Sequence, residues 1–179
     1  MSNLIERAVR AAKLDVTVYE EVEADKTALG QALGVVLLSS VAAGIGSVVS
    51  AGAVGLFIGA IGALIGWFIW AYLTFIIGTK LLPEPQTDAD IGQLLRTIGF
   101  SSSPGVIQIL GVIPVLGKII FVAASIWMLV AMVIAVRQAL DYSSTLRAVG
   151  VCLIGWIVQA VVFILFFFLF VGPTMSVNP

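Results

Sequence analysis

Histidine is absent from the 179 residues, and cysteine occurs once. The first absence removes the commonest metal ligand, the usual general base and the usual axial ligand of haem. The single thiol, Cys152, can close no internal disulfide and can hold no cluster alone, and its apolar surroundings in sequence suit a packing role. Charge is scarce as well: 11% of residues are charged and 60% are hydrophobic, against about 25% and about 45–50% in soluble domains. That balance excludes a soluble globular fold. Nine Lys plus Arg against ten Asp plus Glu give a net charge of -1, so no basic surplus exists to grip a phosphate backbone, and nucleic acid is not an expected partner. No catalytic residue, cofactor-binding residue or metal-ligand set is predicted.

What the chain has in abundance is long uncharged runs. A bilayer core about 30 Å thick needs roughly 20 apolar residues per helix. Thr27 to Thr79 is an uncharged stretch of 53 residues, too long for one crossing, and Gly46 to Gly52 is rich in small residues where it can reverse. Spans are predicted at Leu29 to Ser47 and Ala53 to Ile77, and a last one at Val149 to Val171. Pro104 to Val136 holds 33 residues and one charge, Lys118. Pro114, followed by Gly117, offers a break, giving a short pass from Pro104 to about Val115 and a full one from about Ile119 to Val136. One kinked helix, and hence four spans, is the alternative.

Basic residues decide between the two counts, because cytoplasmic loops carry excess Lys and Arg. With five spans and the N-terminus inside, eight of the nine basic residues are cytoplasmic and Lys118 alone is external. The predicted fold class is therefore an all-α integral membrane protein with five transmembrane helices (alternative four) and interfacial cytoplasmic helices. Residues 1–28 form a cytoplasmic amphipathic segment with no signal peptide evident, and 29–179 form a polytopic membrane domain with a cytoplasmic loop-helix at 78–103. The chain is expected in the cell membrane, N-terminus cytoplasmic and C-terminus external.

Outside the spans, Ile5, Ala8, Val9 and Ala12 recur at helical spacing opposite Glu6, Arg7, Arg10 and Lys13, which fits a surface-lying helix, with Asn3 and Glu6 spaced as a capping box. Thr17 and Glu20 repeat the capping spacing. In the second cytoplasmic loop, Thr87 and Asp90 are spaced to start a helix with an apolar stripe of Ile91, Leu94, Leu95 and Ile98, ending at Gly99 and expected to lie on the membrane. Glu84, Asp88 and Asp90 could hold a divalent cation, but capping explains them better.

Inside the spans, Gly55, Gly59, Gly62 and Gly66 form small-xxx-small pairs, predicted as close helix-packing positions within the chain or against a partner. Polar side chains at depth, including Ser39, Gln108 and Gln159, are neutral, and no charged residue lies near a predicted midplane, which disfavours a coupled transporter. Arg96, Arg137 and Arg147 are expected to find acids among Glu20, Glu21, Glu23 and Asp141, forming a cytoplasmic interaction face.

Three of these segments, YEEVEAD (Tyr19 to Asp25), GTKLLPEPQTDADIGQLLRTIGFSSSPG (Gly78 to Gly105) and AVRQALDYSSTLRAV (Ala135 to Val149), resemble the bacterial branch of the Yip-domain family. Those are relatives of the eukaryotic Ypt/Rab-GTPase-interacting membrane proteins. The resemblance implies five membrane helices, a cytoplasmic N-terminus, and a role in interaction or membrane organisation rather than catalysis. The GTPase role is not expected to carry over. The expected partners are membrane lipids and other membrane proteins or further copies of this chain. A lipid or small-solute conduit, and an accessory subunit of a respiratory or photosynthetic membrane complex, are the alternative functions.

Overall fold

A computed structural model describes residues 3–113 and 115–166. Among them the regular structure is all helical, in the order α1 (Leu4–Ala12), α2 (Val16–Ala24), α3 (Leu29–Gly46), α4 (Val48–Ile76), α5 (Ile91–Ser101), a 3₁₀ segment (Ser103–Val112), α6 (Gly117–Ala139) and α7 (Thr145–Phe166). A 3₁₀ turn, Lys26–Ala28, leads into α3, and a π-helical turn, Ile77–Leu81, closes α4.

Among the described residues four helices are long and apolar enough to cross a membrane: Lys26–Gly46, Ile58–Leu81, Gly117–Ala139 and Thr145–Val162. Their outer faces are apolar and exposed, as at Ile58, Ile61 and Ile65 of α4 or Ile119, Val122 and Ile126 of α6. Water would make that surface unstable, whereas lipid solvates it. The reversal between the first two spans falls at Ser47, one residue past the start of the small-residue stretch, and α6 begins at Gly117 as the predicted break requires. Pro114 itself, the end of the last predicted span at Val171 and the C-terminus lie outside the described residues.

The short pass predicted from Pro104 is not an α-helix. It is 3₁₀, and its spacing shows why: Gly105, Gln108 and Gly111 recur every three residues, the repeat at which side chains eclipse in a 3₁₀ helix. This face abuts α3 and α6. A Cβ on Gly105 would overlap the Ser39 hydroxyl and sit 2.8 Å from Met128 Sδ, and one on Gly111 would meet the Phe121 ring. Gly99, near the end of α5, lies against Ala32, so a Cβ there would be 2.7 Å from the Ala32 Cβ. Together these contacts show the chain from Gly99 to Gly111 travelling alongside α3 in the same direction, from the level of Ala32 to that of Gly46.

The predicted loop-helix forms as α5, more deeply set than a helix lying on the membrane. Every residue from Leu94 to Ser101 is buried, Arg96 included. Asp90 caps it through a reciprocal capping box with Gln93 (Gln93 N–H to Asp90 Oδ1, 2.8 Å; Asp90 N–H to Gln93 Oε1, 2.6 Å). Thr87 instead accepts the Glu84 amide at 2.9 Å. The helix also runs past Gly99 to Ser101. Likewise Asp15 rather than Thr17 caps α2, while Asn3 makes no side-chain cap to α1.

In α1 the ordering of a soluble amphipathic helix is inverted. Arg7 is buried, while Ile5 and Val9 are 66% and 47% exposed. A lipid-facing outer surface makes sense of that arrangement.

Candidate interaction face

Two interlocked clusters build one end of the molecule. The first joins α1, α2 and α5. Val18, Tyr19 and Val22 of α2 are fully buried against Ala32, Val35, Phe100 and Ala135, and this apolar floor fixes how α2 lies. Above it, Arg7 ties three elements together, reaching Glu21 at 2.9 Å, Asp25 at 2.9 Å and the Gln31 side-chain oxygen at 3.1 Å. Burial lowers the affinity of the Arg7 guanidinium for its proton, but its bonds to Glu21 and Asp25 outweigh that and hold it protonated. Arg10 binds Asp15 at 2.8 Å and the second Glu21 oxygen at 2.7 Å.

Arg96 reaches across from α5 to the end of α2. Its guanidinium donates to the Val22 carbonyl at 2.9 Å and to the Glu23 carbonyl. These are carbonyls at the C-terminus of a helix, where no intrahelical donor remains and a cation is favoured. Glu23 turns its carboxylate to the Gln93 amide, 3.2 Å away. Glu20 accepts from Gln138 of α6 at 2.8 Å.

The second cluster joins the end of α4 to the α6–α7 turn. Tyr142 donates to the carbonyls of Gly78 (3.0 Å) and Leu82 (2.7 Å), oxygens at the π-helical turn. Glu84 accepts the Ser143 amide at 2.9 Å and its hydroxyl at 2.8 Å, which keep the carboxyl below its usual range, and Arg147 approaches at 3.3 Å. Arg147 also donates to the Pro83 carbonyl at 2.8 Å. Arg137 caps its own turn, binding the carbonyls of Tyr142 (3.2 Å) and Ser143 (3.3 Å). Asp141 occupies that turn at φ 52, a left-handed conformation aspartate tolerates.

The expected arginine-to-acid pairing is therefore replaced by a different set of partners. Arg96 and Arg137 bind backbone carbonyls, and Arg147 binds Glu84. The four acids named beforehand divide between Arg7 and Arg10 (Glu21), glutamine amides (Glu20, Glu23) and an exposed turn (Asp141). Sequence reasoning missed the roles of Arg7, Glu84 and Tyr142, because their partners are distant in the chain: carboxylates for Arg7, the Ser143 and Arg147 donors for Glu84, and backbone carbonyls for Tyr142, none of which local spacing marks.

The glycine positions also land differently from a close crossing within the chain. A Cβ built at Gly59, Gly62 or Gly66 meets no atom of the described residues within 4 Å. Gly55 belongs to a part of α4 whose surroundings lie outside the described residues. Glycines that do sit at close approaches include Gly46, Gly78, Gly99, Gly105, Gly111 and Gly117.

Glu23 gives the face a dependence on pH. Burial, with Asp141 next in weight, pushes its carboxyl from the ordinary 4.5 up to about 7; Arg96 pulls the other way, and Glu20 and Asp90 add to the push. The folded chain thus keeps this proton to higher pH than the unfolded chain. Stability should accordingly fall as pH rises from about 4.5 through about 7. Melting temperature measured across that window should decline for the parent, and Glu23→Gln should flatten the part of the decline that Glu23 causes. An identical slope in both proteins would remove Glu23 from the explanation.

No curated protein matches the chain, and no solved structure does. The family model of the Yip1 domain matches residues 17–171. That range takes in the second cluster, the α2 and α5 parts of the first and all four described helices of spanning length, leaving α1 outside it, and the chain belongs to the Yip1-domain family.

Proposed function

We propose that the chain is a non-enzymatic interaction protein of the membrane, presenting the layer built by α1, α2, α5 and the α6–α7 turn to protein partners on the cytoplasmic side. The observation that supports this reading is the layer itself. Segments separated by more than 70 residues, such as Arg96 and Val22, are locked together by side chains, while Glu20, Asp141 and Arg147 stay exposed on its outside. A rigid surface with displayed charges suits recognition, since little ordering is left to be done on binding. Purification from native membranes followed by mass spectrometry tests it. The parent should retain a stoichiometric partner that the Glu20→Lys, Asp141→Lys double variant loses. Retention of the same set by both proteins would reject the face.

The sidedness follows the distribution of basic residues. We infer that the 3₁₀ segment completes a fifth pass beside α3, leaving residues 78–103 and 137–148 cytoplasmic and the C-terminus external. On a Cys152→Ser background, a cysteine at position 90 should label only from inside and one at position 176 only from outside. The reverse pattern at either position would sink the topology.

A further inference from the structure

A cavity of about 380 Å³ opens among α3, α4, α6 and α7, below the end of α5. Its walls are of two kinds. Trp67, Trp70 and Trp156 supply broad flat faces, with the rings of Trp70 and Trp156 centred 6.4 Å apart. Ser39, Gln108 and Gln159 supply neutral polar groups. Charged side chains are absent from this lining.

Gln108 carries the argument. It is 8% exposed, and its side-chain amide has no hydrogen-bond partner among the described residues. Ser39, 5% exposed, is in the same position. The buried Trp70 Nε1 likewise lacks a partner among the described residues. A buried donor left without a partner costs about 1–3 kcal/mol; among the described residues Trp70 Nε1 is the fully enclosed case, while the unpartnered Gln108 amide and Ser39 hydroxyl line the cavity, where a ligand can complete them. Ser39 lies ten residues along α3 from Leu29, about 15 Å at the helical rise, which puts the polar groups deep in the hydrocarbon rather than at the headgroup level.

We propose that this cavity binds the ring of a lipid-soluble quinone or a close chemical relative: a flat, uncharged ring bearing carbonyl oxygens on an apolar tail. The depth and the uncharged lining disfavour a phospholipid headgroup, whose phosphate would find no cation there. An acyl chain would leave the Gln108 amide and the Ser39 hydroxyl unsatisfied. A ring carbonyl accepts from the Gln108 amide or the Ser39 hydroxyl while the indoles cover the ring face. The volume is within the range of small-ligand sites, about 300–1,000 Å³. Binding alone is proposed, with no electron transfer.

Intrinsic fluorescence reads this directly, because quinones quench indoles. Of the four tryptophans, Trp127 lies apart, donating to the Ala12 carbonyl at 2.8 Å. In a Trp127→Phe background the remaining emission belongs to the cavity. Decylubiquinone titrated into phosphatidylcholine nanodiscs should quench it saturably, at one site per chain, with about tenfold weaker affinity in Gln108→Leu. Ser39→Ala serves if Gln108→Leu fails to elute and show helical circular dichroism like the parent. Quenching that rises linearly with quinone and is equal in parent and variant would overturn the site. So would brominated acyl chains of the surrounding lipid quenching these indoles undiminished by saturating quinone, since the cavity would then hold lipid tails.

Discussion

Gly46→Leu should prevent recovery of a monodisperse protein after detergent extraction, or lower its melting temperature more than any other single glycine substitution. The Cβ of any residue at position 46 overlaps the Gln108 carbonyl oxygen and comes within 3.3 Å of the Phe121 ring. A flexible side chain could rotate away, but a backbone carbonyl in a helical segment cannot. Overpacking typically costs about 1–3 kcal/mol and occasionally more, and here α3 must separate from the 3₁₀ segment along their whole contact. Gly59→Leu and Gly62→Leu are the matched controls, because no described residue comes within 4 Å of a Cβ at either position. They should melt like the parent. A Gly46→Leu protein that elutes and melts normally would show that α3 and the 3₁₀ segment are not apposed there.

Arg96→Ala should release α2. Two helix-terminal carbonyls, of Val22 and Glu23, would be left buried with no donor, and hydrogen bonds to a charged group contribute about 1.5–3 kcal/mol each. A loss of about 3 kcal/mol is expected, which would show as faster amide hydrogen exchange across residues 16–24 while the membrane helices keep their protection. Arg96→Lys should recover only part, since an ammonium lacks the planar fork that spans two carbonyls. Arg137→Ala offers the contrast. Its bonds close a local turn at the surface, so about 1 kcal/mol or less is expected. Unchanged exchange in α2 after Arg96→Ala would mean that the apolar floor under Tyr19 holds the helix unaided.

Much of this architecture is legible in the sequence. Run lengths between Lys26 and Lys80 required two crossings and a reversal, which fell at Ser47. The Pro114-to-Gly117 break predicted where α6 would begin. The 3₁₀ segment was readable in principle from Gly105, Gln108 and Gly111, but a ten-residue apolar run carries no mark of its helix type unless a three-residue repeat is sought. Caps were less legible because serine, threonine and aspartate crowd each candidate start. Thr17 sits two residues after Asp15 and Thr87 three before Asp90, and in each case the aspartate takes the cap. For the candidate face, composition placed the charges on one side but could not pair them. Backbone carbonyls, the partners of Arg96 and Arg137, leave no trace in a sequence. Glycine spacing in α4 had the opposite fault: it marked a face without saying what lies opposite.

The eclipsed stripe of the 3₁₀ segment has a bearing on which lengths of chain this fold tolerates. One residue added or removed between Ser103 and Val112 turns all that follows by about 120°, swinging Gly111 away from Phe121 and putting a bulkier neighbour in its place. Residues 82–90, between the π-helical turn and α5, have no such periodicity to keep. Insertions and deletions among related chains should therefore gather in that connection, while the spacing from Gly105 to Gly111 stays fixed even where the residues themselves change.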